Sequence, residues 1–380
     1  MRNGAGRRYD THVWRFLRSP VYWLLVFIPV ALALDAREDV PAALTFASAA
    51  IAILPLAALL VRATEQIAER AGSAIGGLLN ATFGNAPELI IAVVALRAGE
   101  LELVKGSIVG AILGNLLFVL GLSFLLGGLR QHEQVYNPAG ARIQSSMMMI
   151  AALSLMVPSI FHNFITPETV HLEQDLNVAV AVVLLGAYAL SLLFMLKTHP
   201  DYFAVPHGGG ETGSGEHWSP ALSGAVLVGA SVVLAVVSEV LVGSVEETGR
   251  SLGMSRVFIG VIVLAVVGGS AESLAAMAMA RKNKIDLTVS IAVGSSIQIA
   301  LFVAPALVLA SYVVAPRPLN LVLGNAGAAM VFFPVLIEAM IAGDGRSNWF
   351  KGVQLLCVYA LVALFCYYLP DQLAVPHAQP

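Results

Sequence analysis

The chain has 380 residues, 58% of them hydrophobic and 12% charged, with a net charge of -3 and a mean hydropathy of +0.82. A soluble domain carries about 25% charged residues, so this composition excludes an ordinary soluble protein: too little polar surface is available to cover it. The near-neutral charge gives no electrostatic basis for a nucleic-acid partner, and Cys357 and Cys366, both in the last apolar run, have neither disulfide-framework nor zinc spacing.

A basic N-terminal stretch (Arg2, Arg7, Arg8, Arg15, Arg18) precedes the first apolar run. No small-residue cleavage site follows it, so it reads as a retained short or tilted span rather than a signal peptide. Apolar runs then recur near 20–35, 41–61, 74–96, 104–128, 145–161, 176–196, 221–242, 255–280, 287–313, 319–342 and 350–369. Most have the roughly 17–25 residues a helix needs to cross a hydrocarbon core of about 30 Å. The expected fold class is an all-α membrane protein with 11 transmembrane helices, although two runs are short enough to leave ten or twelve open. With the N-terminus in the cytoplasm, fifteen Lys and Arg fall on inside segments and six outside, the sign that the positive-inside rule requires.

The stretch "KTHPDYFAVPHGGGETGSGEHWSP" (197–220) reads as a linker between halves. Its His199, His207 and His217 fit ordinary loop residues better than metal ligands. The expected organisation is 1–40, N-terminal segment and leading helix; 41–196, first five-helix repeat; 197–220, cytoplasmic linker; 221–370, second five-helix repeat; and 371–380, C-terminal tail.

The halves repeat. At a constant offset of 184 residues, Gly84 falls on Gly268, Glu88 on Glu272, Arg97 on Arg281, Leu103 on Leu287 and Gly110 on Gly294, and "LLFV" (116–119) lies on "ALFV" (300–303). A repeat of five spans is odd, so the copies have inverted topology. Inverted repeats recur in secondary transporters, which place the substrate near the midplane where the repeats meet.

Each copy brings one glutamate to that depth, Glu88 in "GNAPE" and Glu272 in "GGSAE". An intramembrane charge is costly and marks an ion or proton route by default. No Lys or Arg lies inside either run to neutralise it. Pro87 cannot donate a helix hydrogen bond and Gly84 permits close backbone approach, so Gly84, Asn85, Ala86 and Pro87 form an expected helix break. Gly268, Gly269 and Ser270 are its counterpart. Broken helices expose carbonyls that coordinate cations. The crossing runs "SIVGAILGNLLFVLG" and "SIAVGSSIQIALFVAP" add Asn115, Ser295, Ser296 and Gln298 as site neighbours, with Gly110 and Gly294 expected to let helices approach. Glu239, Glu65 and Glu246 are candidates for the ion route, against the plainer reading of solvated helix ends; Glu338 is expected to reach water at the cytoplasmic face.

Two carboxylates with carbonyls, amides and water form an all-oxygen site, which suits Ca²⁺, while the absence of neighbouring Cys or His argues against a soft metal. Two acids sharing an apolar site also take up protons once the cation leaves. Exchange of Ca²⁺ for H⁺ by alternating access follows as the expected function, with no cofactor and no catalytic machinery. A Na⁺/Ca²⁺-type or broader divalent exchanger, a cation channel and a non-transporting scaffold are the alternatives.

The segments "PLAALLVRATEQIAERAGSAIGGLLNATFGNAPELIIAVVAL", "GAILGNLLFVLG", "RKNKIDLTVSIAVGSSIQIALFVAP" and "GDGRSNWFKGVQLLCVYALVAL" resemble the Ca²⁺/H⁺ antiporter (cation/proton exchanger) branch of the calcium/cation antiporter superfamily. The resemblance implies a leading helix and two inverted five-helix repeats. It also implies that Glu88 and Glu272 are the central cation and proton ligands, that Asn115 and Gln298 stand beside them, and that Glu239 lies on the external route. The second copy departs from the family's Gly-Asn-Ala-Ala-Glu-His, with Gly269 in place of Asn and Ser273 in place of His. A bacterial inner membrane is the favoured location, with a vacuolar or other organelle membrane as alternative.

Overall fold

The computed structural model describes residues 19–37, 39–71, 76, 78–79, 82–166, 168–199 and 218–369. The N-terminal basic stretch, most of the linker with His207 and His217, the C-terminal tail and part of the 74–96 run lie outside the described residues.

The chain is a helical membrane protein. In order come α1 (Pro20–Asp35), α2 (Ala42–Ala68), α3 (Ala86–Arg97), α4 (Leu101–Gly128), α5 (Pro138–His162), α6 (Val170–Thr198), α7 (Pro220–Leu252), α8 (Arg256–Gly268), α9 (Ser270–Arg281), α10 (Ile285–Val314), α11 (Gly324–Ala342) and α12 (Trp349–Tyr368). Eight of these are long and apolar enough to span a bilayer, and α8 with α9 makes a ninth, bent by 62°. The leading run is a shorter helix of the expected extent, and the described part of the 74–96 run centres on α3, so the count of eleven is not reproduced among the described residues. Large apolar side chains cover the outside, among them Val183, Leu190, Val313 and Met340, as suits a surface solvated by lipid.

Local chemistry sets the helix ends. Asn137, Ser219, Ser255 and Asn348 cap α5, α7, α8 and α12 by accepting from backbone N–H groups of the first turn. Gly253, at φ +66°, ends α7 in the left-handed conformation that disfavours other residues. Pro55, Pro158 and Pro334 sit inside helices, where neighbouring helices support the interrupted backbone.

Contacts between connections define two ends of the molecule. At one, Arg256 pairs with Glu100 and Glu246, Glu173 accepts from Asn320, and Asn163 donates to Asn325. At the other, β1 (Gln134–Val135) pairs antiparallel with β2 (Arg346–Ser347), Gln134 bonds Asn283 and the Ala280 carbonyl, and the Asn137 N–H donates to Asp286. Helix α4 therefore runs from the first end to the second, and its repeat counterpart α10 runs back. Helices α3 and α9 are opposed in the same way. The inversion expected from the odd repeat length is thus a property of the fold.

Helix α4 is the most enclosed span, with 83% of its apolar window buried, against 17% for α6. Its Gly110 lies on α8: a Cβ there would come 2.2 Å from the Val261 carbonyl oxygen. Gly106 meets Gly260 in the same crossing. The matching expectation for Gly294 does not hold among the described residues, since a Cβ there would meet nothing within 4 Å. Both α4 and α10 pass through a π turn at equivalent depth, Gly114–Val119 and Ile299–Val303. Such turns are frequent at functional sites.

Candidate cation site

The two breaks set the geometry. The chain turns at Gly84–Asn85 and restarts as α3, with Pro87 in its first turn, where its missing N–H costs nothing. Gly269 separates α8 from α9. Glu88 and Glu272 each occupy the first turn of the helix after the break, where the helix dipole favours negative charge. Because α3 and α9 run in opposite directions, the two carboxyls approach from opposite sides. They are close enough to interact electrostatically. Oε2 of each is shielded and has no hydrogen-bond partner among the described residues.

A polar bridge joins the halves beside them. Asn85 Nδ2 donates to Gln298 Oε1 (2.6 Å), Ser295 Oγ donates to Asn85 Oδ1 (2.7 Å), and Asn115 Nδ2 donates to Ser295 Oγ (3.0 Å). Ser295 also lies within hydrogen-bonding reach of the Glu272 carboxyl. Ser296 does not join this bridge; it donates to the Ile112 and Ala292 carbonyls and holds α10 against α4. Ser270 has a buried hydroxyl with no partner among the described residues.

The bridge is one-sided, and the sequence departures explain why. At the repeat offset, Gly269 matches Asn85, while Ala111 and Gly114 match Ser295 and Gln298. The second half thus lacks the amide and the first half lacks its partners. Glu88 uses the freed space: a Cβ on Gly268 would lie 3.3 Å from Glu88 Cγ, and one on Gly269 would lie 3.7 Å from Glu88 Oε1. Ser273, the other departure, donates its hydroxyl back to the Gly269 carbonyl (2.7 Å), which also accepts the Ser273 backbone N–H (2.9 Å).

Glu88 lines a small cleft of about 20 Å³ whose walls are apolar apart from Ser107, and include Ile91, Ile108, Leu264 and Leu307. Farther along α3 follows a cleft of about 370 Å³ whose lining includes Arg97, Glu100, Glu239 and Glu246. Glu239 is exposed there, while Glu246 is held by Arg250 (2.7 Å) and Arg256 (2.9 Å). Glu246 is therefore partly neutralised, contrary to an open cation-attracting role. Glu65 stands at the far end of α2, away from both clefts. Among the described residues no three His, Cys, Asp or Glu side chains converge as a metal cluster. A cation between Glu88 and Glu272 would thus complete its shell with amide and carbonyl oxygens and water.

The sequence matches the sodium/calcium exchanger protein family over residues 41–197 and 222–368. The chain belongs to that family. Among its relatives in the family, the Ca(2+)/H(+) antiporter of Synechocystis is 42% identical over 365 residues, 91% of this chain and 96% of that protein. The Ca(2+)/H(+) antiporter of Aphanothece halophytica is 40% identical over 364 residues, 92% of this chain and 96% of that protein. The solved structure of native YfkE superposes with a TM-score of 0.78 at 35% identity, covering 92% of this chain and all of that one.

Against that family frame, two features escape sequence reasoning. One is a buried carboxyl network in which Glu173 meets His162 Nδ1 (2.7 Å) and Asn320 Nδ2 (3.0 Å). Its members are far apart in the chain, and no motif announces them. The other is Glu338. It does not reach water: it is 0% exposed, with neither carboxyl oxygen hydrogen-bonded among the described residues. Its signal was an acid inside an apolar helix, and that helix packs against α5, α12 and α4.

Proposed function

We propose that this family member is a secondary carrier that exchanges Ca²⁺ for H⁺ across a membrane by alternating access, at Glu88 and Glu272. One observation carries the reading: two carboxyls, each in the first turn after a helix break, come within electrostatic range of each other from oppositely running repeats beside the Asn85–Ser295–Gln298 bridge. The deprotonated pair supplies hard oxygen ligands for Ca²⁺. When the ion leaves, the two charges repel in an apolar setting and protons replace it. Empty and charged, the pair is too costly to carry through a closed state, and this couples the two fluxes. The Ca²⁺/H⁺ antiporter relatives, similar over nearly the whole chain, support the choice of ions. The five-helix repeats at 41–196 and 221–370 are the units that move. The 197–220 linker is cytoplasmic, and the favoured location is a bacterial inner membrane.

The test is transport by the purified chain in liposomes under imposed pH or sodium gradients. Calcium uptake should follow the proton gradient and should vanish in E88Q and E272Q. Uptake that follows sodium and ignores pH, or that survives both substitutions, overturns the proposal.

A further inference from the structure

Glu338 lies about one turn before the end of α11, at the end of the molecule where β1 pairs with β2. It is fully enclosed, and both its oxygens lack partners among the described residues. Helix α11 packs on α5, α12 and α4. The bonds from Arg142 to the Gly343 carbonyl and from Asn163 to Asn325 fix α5 and α11 as antiparallel neighbours from different halves.

The ionisable groups on the packed elements are engaged elsewhere or apart from it. Lys351 on α12 donates to Asp344 and to the Ile341 and Arg346 carbonyls. Tyr136, before α5, donates to the Ala342 carbonyl (2.6 Å), and Asp286 accepts from the Asn137 N–H. On α4, Lys105 pairs with Glu102 near the opposite end; on α5, His162 pairs with Glu173 there as well. The Tyr359 hydroxyl of α12 is buried and bonds to none of these. Among the described residues no cation pairs with Glu338. A buried carboxylate with neither a counter-charge nor a hydrogen-bond donor is strongly disfavoured, whereas the neutral acid is tolerated.

We propose that Glu338 is a proton-binding site separate from the Glu88–Glu272 pair, occupied while α5 and α11 are packed together and vacated when that contact opens. On opening, the carboxyl O–H bond breaks, the proton passes to water, and the carboxylate is hydrated. Because α5 and α11 belong to different halves, the bound proton holds the halves in the arrangement described. This last role rests on the exchange reading; the proton site itself does not.

The test uses the full chain in lipid and infrared spectroscopy, which reads a protonated carboxyl directly and needs no transport. In E88Q/E272Q the central acids are silent, and exposed carboxylates are ionised at neutral pH, well above their ordinary values of about 4. A protonated-carboxyl C=O band should persist there at neutral pH and disappear when E338Q is added. Absence of the band from E88Q/E272Q, or its survival in the triple variant, overturns the site. Should the triple variant fail to fold, presence or absence of the band in E88Q/E272Q, and its loss or survival in the single variant E338Q relative to wild type, decide the matter. In liposomes E338Q alone should keep calcium–proton exchange but show a weaker dependence of rate on pH; an unchanged pH profile overturns the coupling role while leaving the exchange reading intact.

Discussion

Asn85 shows how much one amide does at this site. It caps the gap between the helix break and α10 by donating to Gln298 and accepting from Ser295, and it is 1% exposed. Groups that orient ligands typically cost about 10–100-fold in metal affinity when removed. N85A and S295A should each weaken apparent calcium affinity by about that factor while leaving both glutamates in place, as read by calcium titration of uptake in liposomes. Unchanged affinity would show the bridge to be packing only. Gly269 poses the converse case. Restoring the amide with G269N places a Cβ 3.3 Å from the Ala265 carbonyl oxygen and 3.7 Å from Glu88 Oε1, and it finds Ala111 and Gly114 where Asn85 finds Ser295 and Gln298. Exchange activity should fall in G269N; equal or greater activity would mean that the one-sided bridge does not govern the site.

The element that matters most is the crossing of α4 and α8, where backbones touch through Gly110 and Gly106. Side chains forced into such a contact cost about 1–3 kcal/mol through displaced backbone. G110A should lower the melting temperature in detergent accordingly, whereas G294A should leave it nearly unchanged, since space is open there among the described residues. Equal effects at both positions would contradict this packing asymmetry. The repeat alignment makes the two glycines equivalent in sequence, yet only one lies at a described helix crossing. A second structural tie, Tyr136 to the Ala342 carbonyl, anchors the loop before α5 to the end of α11. Y136F removes one hydrogen bond, and a loss of about 0.5–1.5 kcal/mol in thermal unfolding is expected.

For the whole molecule, inversion is the organising fact. Helices α4 and α10 run in opposite directions, so Glu88 follows its break toward one end and Glu272 follows its own toward the other. With the linker cytoplasmic, a reporter fused after Pro380 should be active only outside; cytoplasmic activity would reverse the assignment of sides while leaving the fold untouched.

Much of this was legible from the sequence alone. Low charge and long apolar runs require a bilayer because no alternative solvent suits such a surface. An ungapped repeat with an odd number of spans requires inversion, a matter of counting. Acids without cations in their own runs require an ion or a proton. What the sequence could not supply was pairing across distance. Ser295 and Asn85 are partners 210 residues apart, Arg256 reaches Glu246 and Glu100 by helix packing, and Glu338 is enclosed on a helix packed against α5, α12 and α4. A sequence states which charges exist, and helix packing alone decides which of them meet a counter-charge, a hydrogen bond or neither.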